Sequence, residues 1–352
     1  MKKYSIYATN IFVLFINFAR FLYCIFYKNI IIMKNELWYD RFVETLYKRY
    51  PKKNQLVEAL MDLLFIEREA AYRRLRRDVT FSVHEIVKIS SAWTISLDNI
   101  INVNSGKIPF LMQPINYITP SDQELKFLQF VIQSIDDLKD FPDTEFMDVC
   151  NKLPRQLLAG FGYLNQFHLF KWMYQYGSEK KAIPFSQVII SEEQRQLTAD
   201  YYRAIKTVPQ TNFIFDRLLF EHLTSEINYF HSIRMITDDD KELIRKDLHD
   251  LLDYLSEVAA HACYPESQNR VNLYVSRLNV DTNYSYTFTS QINICFVHVF
   301  DKFEIYTFDA EMTANFRTWM QLKKRTSIQI SEVDQKSRIE FFTKQRQIVD
   351  MM

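Results

Sequence analysis

Glycine is nearly missing: four occur in 352 residues, at Gly106, Gly160, Gly162 and Gly177. A loop whose backbone closes on a phosphate needs several within a few positions, so enzymes built on a P-loop or a dinucleotide-binding fingerprint are excluded. Cysteine is equally scarce. Cys24, Cys150, Cys263 and Cys295 stand far apart, with no pair at metal or redox spacing. That is the usage of a reducing compartment, and the chain is expected in the cytoplasm. Net charge is also zero, but only in sum: residues 1–32 carry +4, residues 33–107 carry +3 and residues 108–352 carry −7. A basic front on an acidic body places any polyanion-binding function early in the chain.

Apolar material is plentiful. The length predicts two domains or three, and 48% hydrophobic residues against 24% charged is the composition of a folded chain, not a disordered one. The segment 11–32 (IFVLFINFARFLYCIFYKNIII) is long enough to cross a bilayer, with Lys2 and Lys3 ahead of it as in a signal anchor. Arg20 near its middle costs about 2.5–3.5 kcal/mol, which the surrounding Phe, Ile and Leu can outweigh. Against an anchor, Ile, Phe, Tyr, Asn and Lys supply 22 of the first 32 residues, the mixture that AT-rich untranslated DNA gives when read as protein. Met33 is therefore expected to be the working start; a membrane anchor, and a buried or interfacial helix, are the alternatives.

From Glu36 to Tyr50 the apolar residues Trp38, Phe42, Leu46 and Tyr50 recur every fourth position, a first amphipathic helix ended near Pro51. Leu56, Leu60, Leu63 and Leu64 make a second. A break at Phe65 and Ile66 precedes EREAAYRRLRRDV, a third helix over residues 67–78 with Ala71 and Leu75 on one side and Glu69, Arg73 and Arg76 on the other. Ser82 with Glu85 fits a capping box and Phe81 with Ile86 a hydrophobic staple, so a fourth helix begins at residue 82. Ser96 opens a short fifth, LDNII. Five short helices with a tight turn between the second and third describe a helix-turn-helix domain over residues 33–107.

The stretch NQLVEALMDLLFIEREAAYRRLRRDVTFSVHEIVKISSAWTISLDNII resembles the lambda-repressor-like, Cro-type DNA-binding domains, in particular the divergent group of Bacteroides-like bacteria. The resemblance spans about residues 36–103. It rests on Leu56 and Leu60 before the turn, Ile66 after it, Tyr72-Arg73-Arg74-Leu75, Phe81-Ser82 with Glu85-Ile86, and Ile95-Ser96-Leu97-Asp98. At the turn the family carries glycine where this chain has Phe65. The resemblance implies a five-helix bacterial transcriptional regulator whose third helix reads DNA.

The residues point the same way on their own. A helix that enters the major groove needs small residues inward and long donors outward, as Ala70 and Ala71 stand against Arg73 and Arg76. Arg73 and Arg76 suit guanine edges, Glu69 a cytosine amino group, and Tyr72 a thymine methyl or a phosphate. Arg68, Arg74 and Arg77 project sideways toward phosphates, with Lys52 and Lys53 as further phosphate contacts. Five Arg within residues 68–77 against a single acid exceed what solubility requires, and something anionic is expected nearby. A solvated charged face, RNA and an acidic protein are the competing readings.

Pro109, Pro114 and Pro120 mark a linker at 108–120. Helical patterns follow over about 122–139, 155–176, 192–206, 213–236 and 239–262, so 121–264 is expected to be helical. Alternation then predicts three or four antiparallel strands through Val271–Val275, Tyr284–Phe288, Ile292–Phe296 and Phe303–Ile305, closed by helices at about 310–323 and 332–349, the last opened by Ser331. The fold class expected is multidomain and mainly α, with a small antiparallel sheet and flanking helices (α+β) in 265–352. The aromatic run Phe161, Tyr163, Phe167, Phe170, Trp172 and Tyr174 reads as packed core or a dimer seam ahead of a ligand pocket. His222, His231, His249, His261 and Cys263 lack partners at ligand spacing, and Asp238–Asp240 reads as a helix start, so no metal, cofactor or catalytic residue is expected.

The function expected is a sequence-specific, cytoplasmic and nucleoid-associated DNA-binding regulator with no enzymatic activity. It would bind double-stranded DNA as a homodimer, with residues 121–352 supplying oligomerisation and the site of any small-molecule or protein effector. The alternative is an interaction module, soluble or anchored to the inner membrane by residues 11–32, that binds an acidic partner.

Overall fold

The structure, a computed structural model, describes residues 38–50, 52–93, 95–102, 108–112, 122–176, 183–290, 292–299 and 303–352. Residues 1–32, and the expectations attached to them, lie outside that set, as does most of the 108–120 linker. The chain is mainly helical with one mixed sheet, and it divides into two compact units, Met1–Pro109 and Phe110–Met352. No helix among the described residues is long and apolar enough to cross a membrane.

The first unit packs α1 (residues 38–49), α2 (Lys53–Leu64), α3 (Arg68–Leu75), α4 (Val83–Ala92) and α5 (Leu97–Asn102). Each contributes the apolar stripe read from its spacing. Phe42, Val43 and Leu46, then Leu56, Val57 and Leu60, then Ala71 and Leu75, then Ile86 and Ile89 close on Phe81, Trp93 and Ile100. A fully buried side chain of this size stabilises by about 1.5–3 kcal/mol, so this one cluster accounts for the unit's cohesion. The capping box stands as the spacing implied: the Ser82 hydroxyl accepts from the Glu85 N–H, and the Glu85 carboxylate accepts from the Ser82 N–H at 2.8 Å. Phe81 and Ile86 are both buried beside it. The buried Tyr39 hydroxyl accepts the Phe81 N–H at 2.9 Å, tying α1 to the start of α4.

One boundary differs from the sequence reading. The third helix ends at Leu75, before residue 78, because Arg77 adopts the left-handed conformation at φ 69°. The Asp78 N–H returns to the Arg73 carbonyl at 2.9 Å and the Arg77 N–H to the Arg74 carbonyl at 3.1 Å, a Schellman closure with arginine where glycine is usual. Arg76 and Arg77 therefore lie in the turn after α3.

The second unit holds β1 (Leu111–Met112), α6 (Asp122–Asp137), β2 (Glu145–Cys150), α7 (Arg155–Leu158), α8 (Gly162–Tyr176), α9 (Glu192–Ile205), β3 (Gln210–Phe215), α10 (Leu219–Ser232) and α11 (Asp238–His261). Then follow β4 (Arg270–Ser276), β5 (Tyr284–Phe288), β6 (Asn293–Val299), β7 (Phe303–Thr307), α12 (Ala310–Lys323), β8 (Ser327–Gln329) and α13 (Gln335–Asp350). Among the described residues the sheet has eight strands, ordered β1-β7-β6-β5-β2-β3-β4-β8. β2, β3 and β4 run parallel and the other pairings are antiparallel.

The expected small antiparallel sheet is thus corrected to a mixed one, and the stretch 121–264, expected to be helical, contains two of its interior strands, β2 and β3. The physical reason is burial. All six residues of β2 and the last five of β3 are buried, which removes the apolar–polar alternation that betrays a half-exposed strand. The helix read at 213–236 starts only at Leu219, and the one read at 155–176 breaks between α7 and α8. Residues 111–112 of the expected linker pair with β7. Ser331 is buried and accepts the Leu273 N–H, and the cap of α13 is Asp334.

One sheet face, with Phe146, Cys150, Phe213, Phe215, Val271 and Leu273, packs on α7, α8, α10, α11 and α13. In that layer Phe167 and Phe170 are buried core, whereas Tyr163 and Tyr174 are exposed. The other face, with Met147, Val149, Ile214, Tyr286 and Cys295, takes Phe316 and Met320 of α12.

Candidate nucleic-acid interface

The basic helix α3 is positioned from behind by Ala71 and Leu75, both buried against the core of the first unit. The approach from α2 is made by Phe65, which takes the left-handed conformation at φ 56° and donates its N–H to the Met61 carbonyl at 2.8 Å. This is the helix-ending geometry that glycine serves best, adopted here by an aromatic residue that is 85% exposed.

The arginines separate into three kinds. Arg74 is held: its guanidinium forks onto Glu85 at 2.8 and 3.2 Å and donates to the Ala70 carbonyl at 3.2 Å. Both side chains of the pair are largely shielded from solvent. Burial alone would raise the Glu85 carboxyl, but Arg74 and the Ser82 N–H outweigh it and hold it below the usual carboxylate range. Arg74 thus joins α3 to the cap of α4, and the phosphate role read for it from sequence does not fit this engagement.

Arg68, Arg76 and Arg77 are exposed but paired. Arg68 meets Glu58 at 3.5 Å, Arg76 meets both Glu69 and Asp78 at 2.9 Å, and Arg77 meets Asp40. The hydrogen bonds that Arg76 donates to Glu69 and Asp78 raise its guanidinium pKa further. Two residues assigned to bases, Glu69 and Arg76, are therefore bound to each other.

Arg73 is the third kind. It is exposed, on the side of α3 away from Ala71 and Leu75, and has no ion pair or hydrogen bond to its side chain among the described residues. Tyr72 flanks it, its hydroxyl 3.3 Å from the Asn54 Oδ1 and its ring under the Lys53 ammonium at 5.2 Å. Lys52 and Lys53, both exposed, stand at the start of α2 on the same side as Tyr72, Lys53 through that ring contact.

The anionic company expected for the arginine run is thus supplied in part by the chain itself, from Asp40 on α1, Glu58 on α2, Glu69 and Asp78 locally, and Glu85 on α4. Spacing along α3 could not reveal the partners from other helices. A further surface feature lies at the side of this site. Leu63, His84, Val87, Lys88, Ser91 and Ala92 line a shallow hollow of about 530 Å³. The exposed Phe65 stands beside it with the Lys88 ammonium 4.7 Å from its ring centre, and Val83 is exposed one turn before Val87. A sequence signal for this existed: Val83 and Val87 fall off the Ile86–Ile89 stripe.

Among the described residues no group of three His, Cys, Asp or Glu is placed to hold a metal ion. His231 pairs with Asp238, and the run Asp238-Asp239-Asp240 is the first turn of a helix capped by Thr237. Comparison of the chain with models of known protein families, with curated proteins and with solved structures gives no match.

Proposed function

We propose that residues 33–107 form a Cro-type helix-turn-helix domain that reads DNA in the major groove, in a bacterial transcriptional regulator whose residues 121–352 supply oligomerisation and response to an effector. The observation that carries the proposal is Arg73, a long, exposed donor, unpaired among the described residues, on the outer side of a helix whose inner side is Ala71 and Leu75. The left-handed turn at Phe65, between a helix of twelve residues and one of eight, supports the same reading. In it Arg73 reads a base, and Tyr72 stands at the groove's edge. Arg76 and Glu69 become base readers once their mutual ion pair opens. Lys52, Lys53, Arg68 and Arg77 take phosphates, and Arg74 keeps the helix in place.

The ion pairs are no obstacle, because exposed pairs are worth about 0–1 kcal/mol and a bidentate arginine–guanine contact about 1–3. One copy of α3 covers a half-site, so a twofold dimer is the functional form. No catalytic chemistry is assigned.

A second reading has its own observation. The hollow beside Phe65, Val83 and Val87, edged by Lys88 and His84, favours a protein partner with an acidic, apolar segment. Selection of bound sites from random duplexes, followed by a salt titration of the winner, separates the two. Four phosphate contacts per half-site, eight for the twofold dimer, predict a slope of log affinity on log salt of about −7, from about 0.9 for each phosphate. No enriched sequence and a flat salt response would reject the DNA reading and favour the second.

A further inference from the structure

On the sheet face that α12 covers, β2, β3 and β4 present polar side chains in a cluster unlike the rest of the core. Arg317, Gln321 and Lys324 follow one another at helical spacing down α12 and into the turn after it. All three reach Glu145, the first residue of β2: Arg317 at 3.0 Å, Gln321 at 2.8 Å and Lys324 at 3.9 Å. Beneath them the buried Asn212 donates to Glu145 at 3.1 Å, accepts from Lys324 at 3.2 Å, and accepts from Asn272 of β4 at 3.1 Å. Arg317 lies over the ring of Phe288 at 3.8 Å and Lys324 over that of Tyr274 at 5.4 Å. The cations are fixed from below by amides, one carboxylate and two aromatic faces, while their outer sides stay open to solvent, 38% for Arg317 and 21% for Lys324.

The charges do not balance. Two cations share a single carboxylate, and burial holds the Lys324 ammonium below its ordinary range, with Glu145 alone acting to raise it. The surplus grows outward. Lys323 and Arg325 flank Lys324, and the backbone N–H of Arg277 bonds the Thr326 carbonyl at 3.0 Å, which sets the backbone of a further basic residue against the same turn. Arg277 and Arg325 are exposed, and among the described residues neither has an ion pair. This concentration of positive charge stands on a region whose sequence carries −7. An acidic surround repels a long polyanion, whereas a preorganised cationic spot attracts a compact one. The fork of arginine and the ammonium of lysine are the donors suited to phosphoryl oxygens.

We infer that this patch is a binding site for a small phosphorylated molecule. Lys324 and Arg317 hold one phosphoryl group over the Asn212–Asn272 floor, and Arg277 and Arg325 receive further negative charge at the rim. The site would give the second unit a ligand to sense, and it stands whether or not the first unit reads DNA.

The experiment uses the full chain, with inorganic pyrophosphate as the probe, read by calorimetric titration and thermal unfolding. Saturable binding near one per chain and a raised unfolding temperature are expected. Lys324→Gln should weaken binding at least about tenfold. Because that change disturbs a buried network, the exposed pair Arg277→Ala/Arg325→Ala provides the second arm: an unfolding temperature unchanged without ligand, and affinity reduced at least about fivefold. Glu145→Gln, which removes the carboxylate that Arg317 and Lys324 share, should tighten binding. Absence of saturable heat at about 10 mM pyrophosphate would overturn the inference, since that concentration would reveal even millimolar affinity. Equal affinity in the Arg277→Ala/Arg325→Ala variant would also overturn it. So would a loss of duplex affinity in that variant without any pyrophosphate binding, which would make the patch a DNA-backbone contact.

Discussion

Arg73 and Arg74 are neighbours on one helix, and replacing each by alanine should produce opposite phenotypes. Arg74 makes two hydrogen bonds to Glu85, at 2.8 and 3.2 Å, with both side chains less than one-fifth exposed. Charge-assisted hydrogen bonds contribute about 1.5–3 kcal/mol, and removing one partner leaves the other's charge shielded from water, so Arg74→Ala should destabilise the first unit by about 2–3 kcal/mol. A unit of this size has a total stability of about 4–10 kcal/mol, and the change should lower its unfolding temperature by roughly 10–20 °C. The Arg73 side chain is exposed and has no ion pair or hydrogen bond among the described residues, so Arg73→Ala should stay within about 0.5 kcal/mol of the parent in stability. It should nevertheless lose about 1–3 kcal/mol of binding at the preferred duplex, a factor of about 5–150, with little change on unrelated duplexes. Urea unfolding followed by circular dichroism, paired with fluorescence anisotropy on specific and scrambled duplexes, measures both quantities. Parental stability in Arg74→Ala together with reduced binding would return Arg74 to the phosphates. Equal losses on every duplex for Arg73→Ala would end its role as a base reader.

Two further outcomes follow from single residues. Burial pushes the Asp148 carboxyl up to about 6 from 3.8, so the folded state holds its proton more tightly than the unfolded one. The stabilisation from that proton is complete below pH 4 and is lost as pH rises through about 6, for a total of about 3 kcal/mol. Asp148→Asn should abolish that slope in urea unfolding between pH 4 and 7; an unchanged slope would show that Asp148 is not its source. Phe65→Gly relieves a left-handed aromatic residue, a gain of about 1–2 kcal/mol, offset by about 0.4–1 for the freedom of glycine in the unfolded chain and about 0.5 for the lost Lys88 contact. A net change between a loss of about 0.5 and a gain of about 1 kcal/mol is expected, and a larger loss in the same assay would show that the ring supports the fold.

The first unit was legible because its signals are local. Ser82 and Glu85 are three positions apart, Leu56 and Leu60 four, and hydrogen bonding along one helix acts over those distances. The end of α3 was misplaced because arginine in a left-handed turn leaves no mark in the sequence, whereas a glycine at position 77 would have announced it. The interior strands β2 and β3 of the second unit were illegible for the opposite reason. Glu145–Cys150 is buried on both faces, and a short buried run has no period to distinguish it from a piece of helix. In the candidate interface the outward position of Arg73 followed from helical spacing. The partners of Arg68, Arg74 and Arg77 come from α2, α4 and α1, at separations no local pattern spans.

Burial explains how one residue type can hold structure at one position and, in the proposed function, take up recognition at others within ten positions. The Arg74–Glu85 pair lies between two helices, where water is largely excluded and the geometry is fixed by the capping box. Opening it would expose a charge to a poorly solvated site, so it behaves as part of the scaffold. The pairs of Arg68, Arg76 and Arg77 lie in water, where each broken contact is replaced by hydration at almost no net cost. Such pairs keep the side chains short of self-repulsion while no polyanion is present, and in the proposed function they would yield to phosphates that offer more charge at the same distance. A phosphate backbone would therefore redistribute the exposed arginines without moving the helix that carries them, because the one arginine that sets the helix's position is the one it cannot reach.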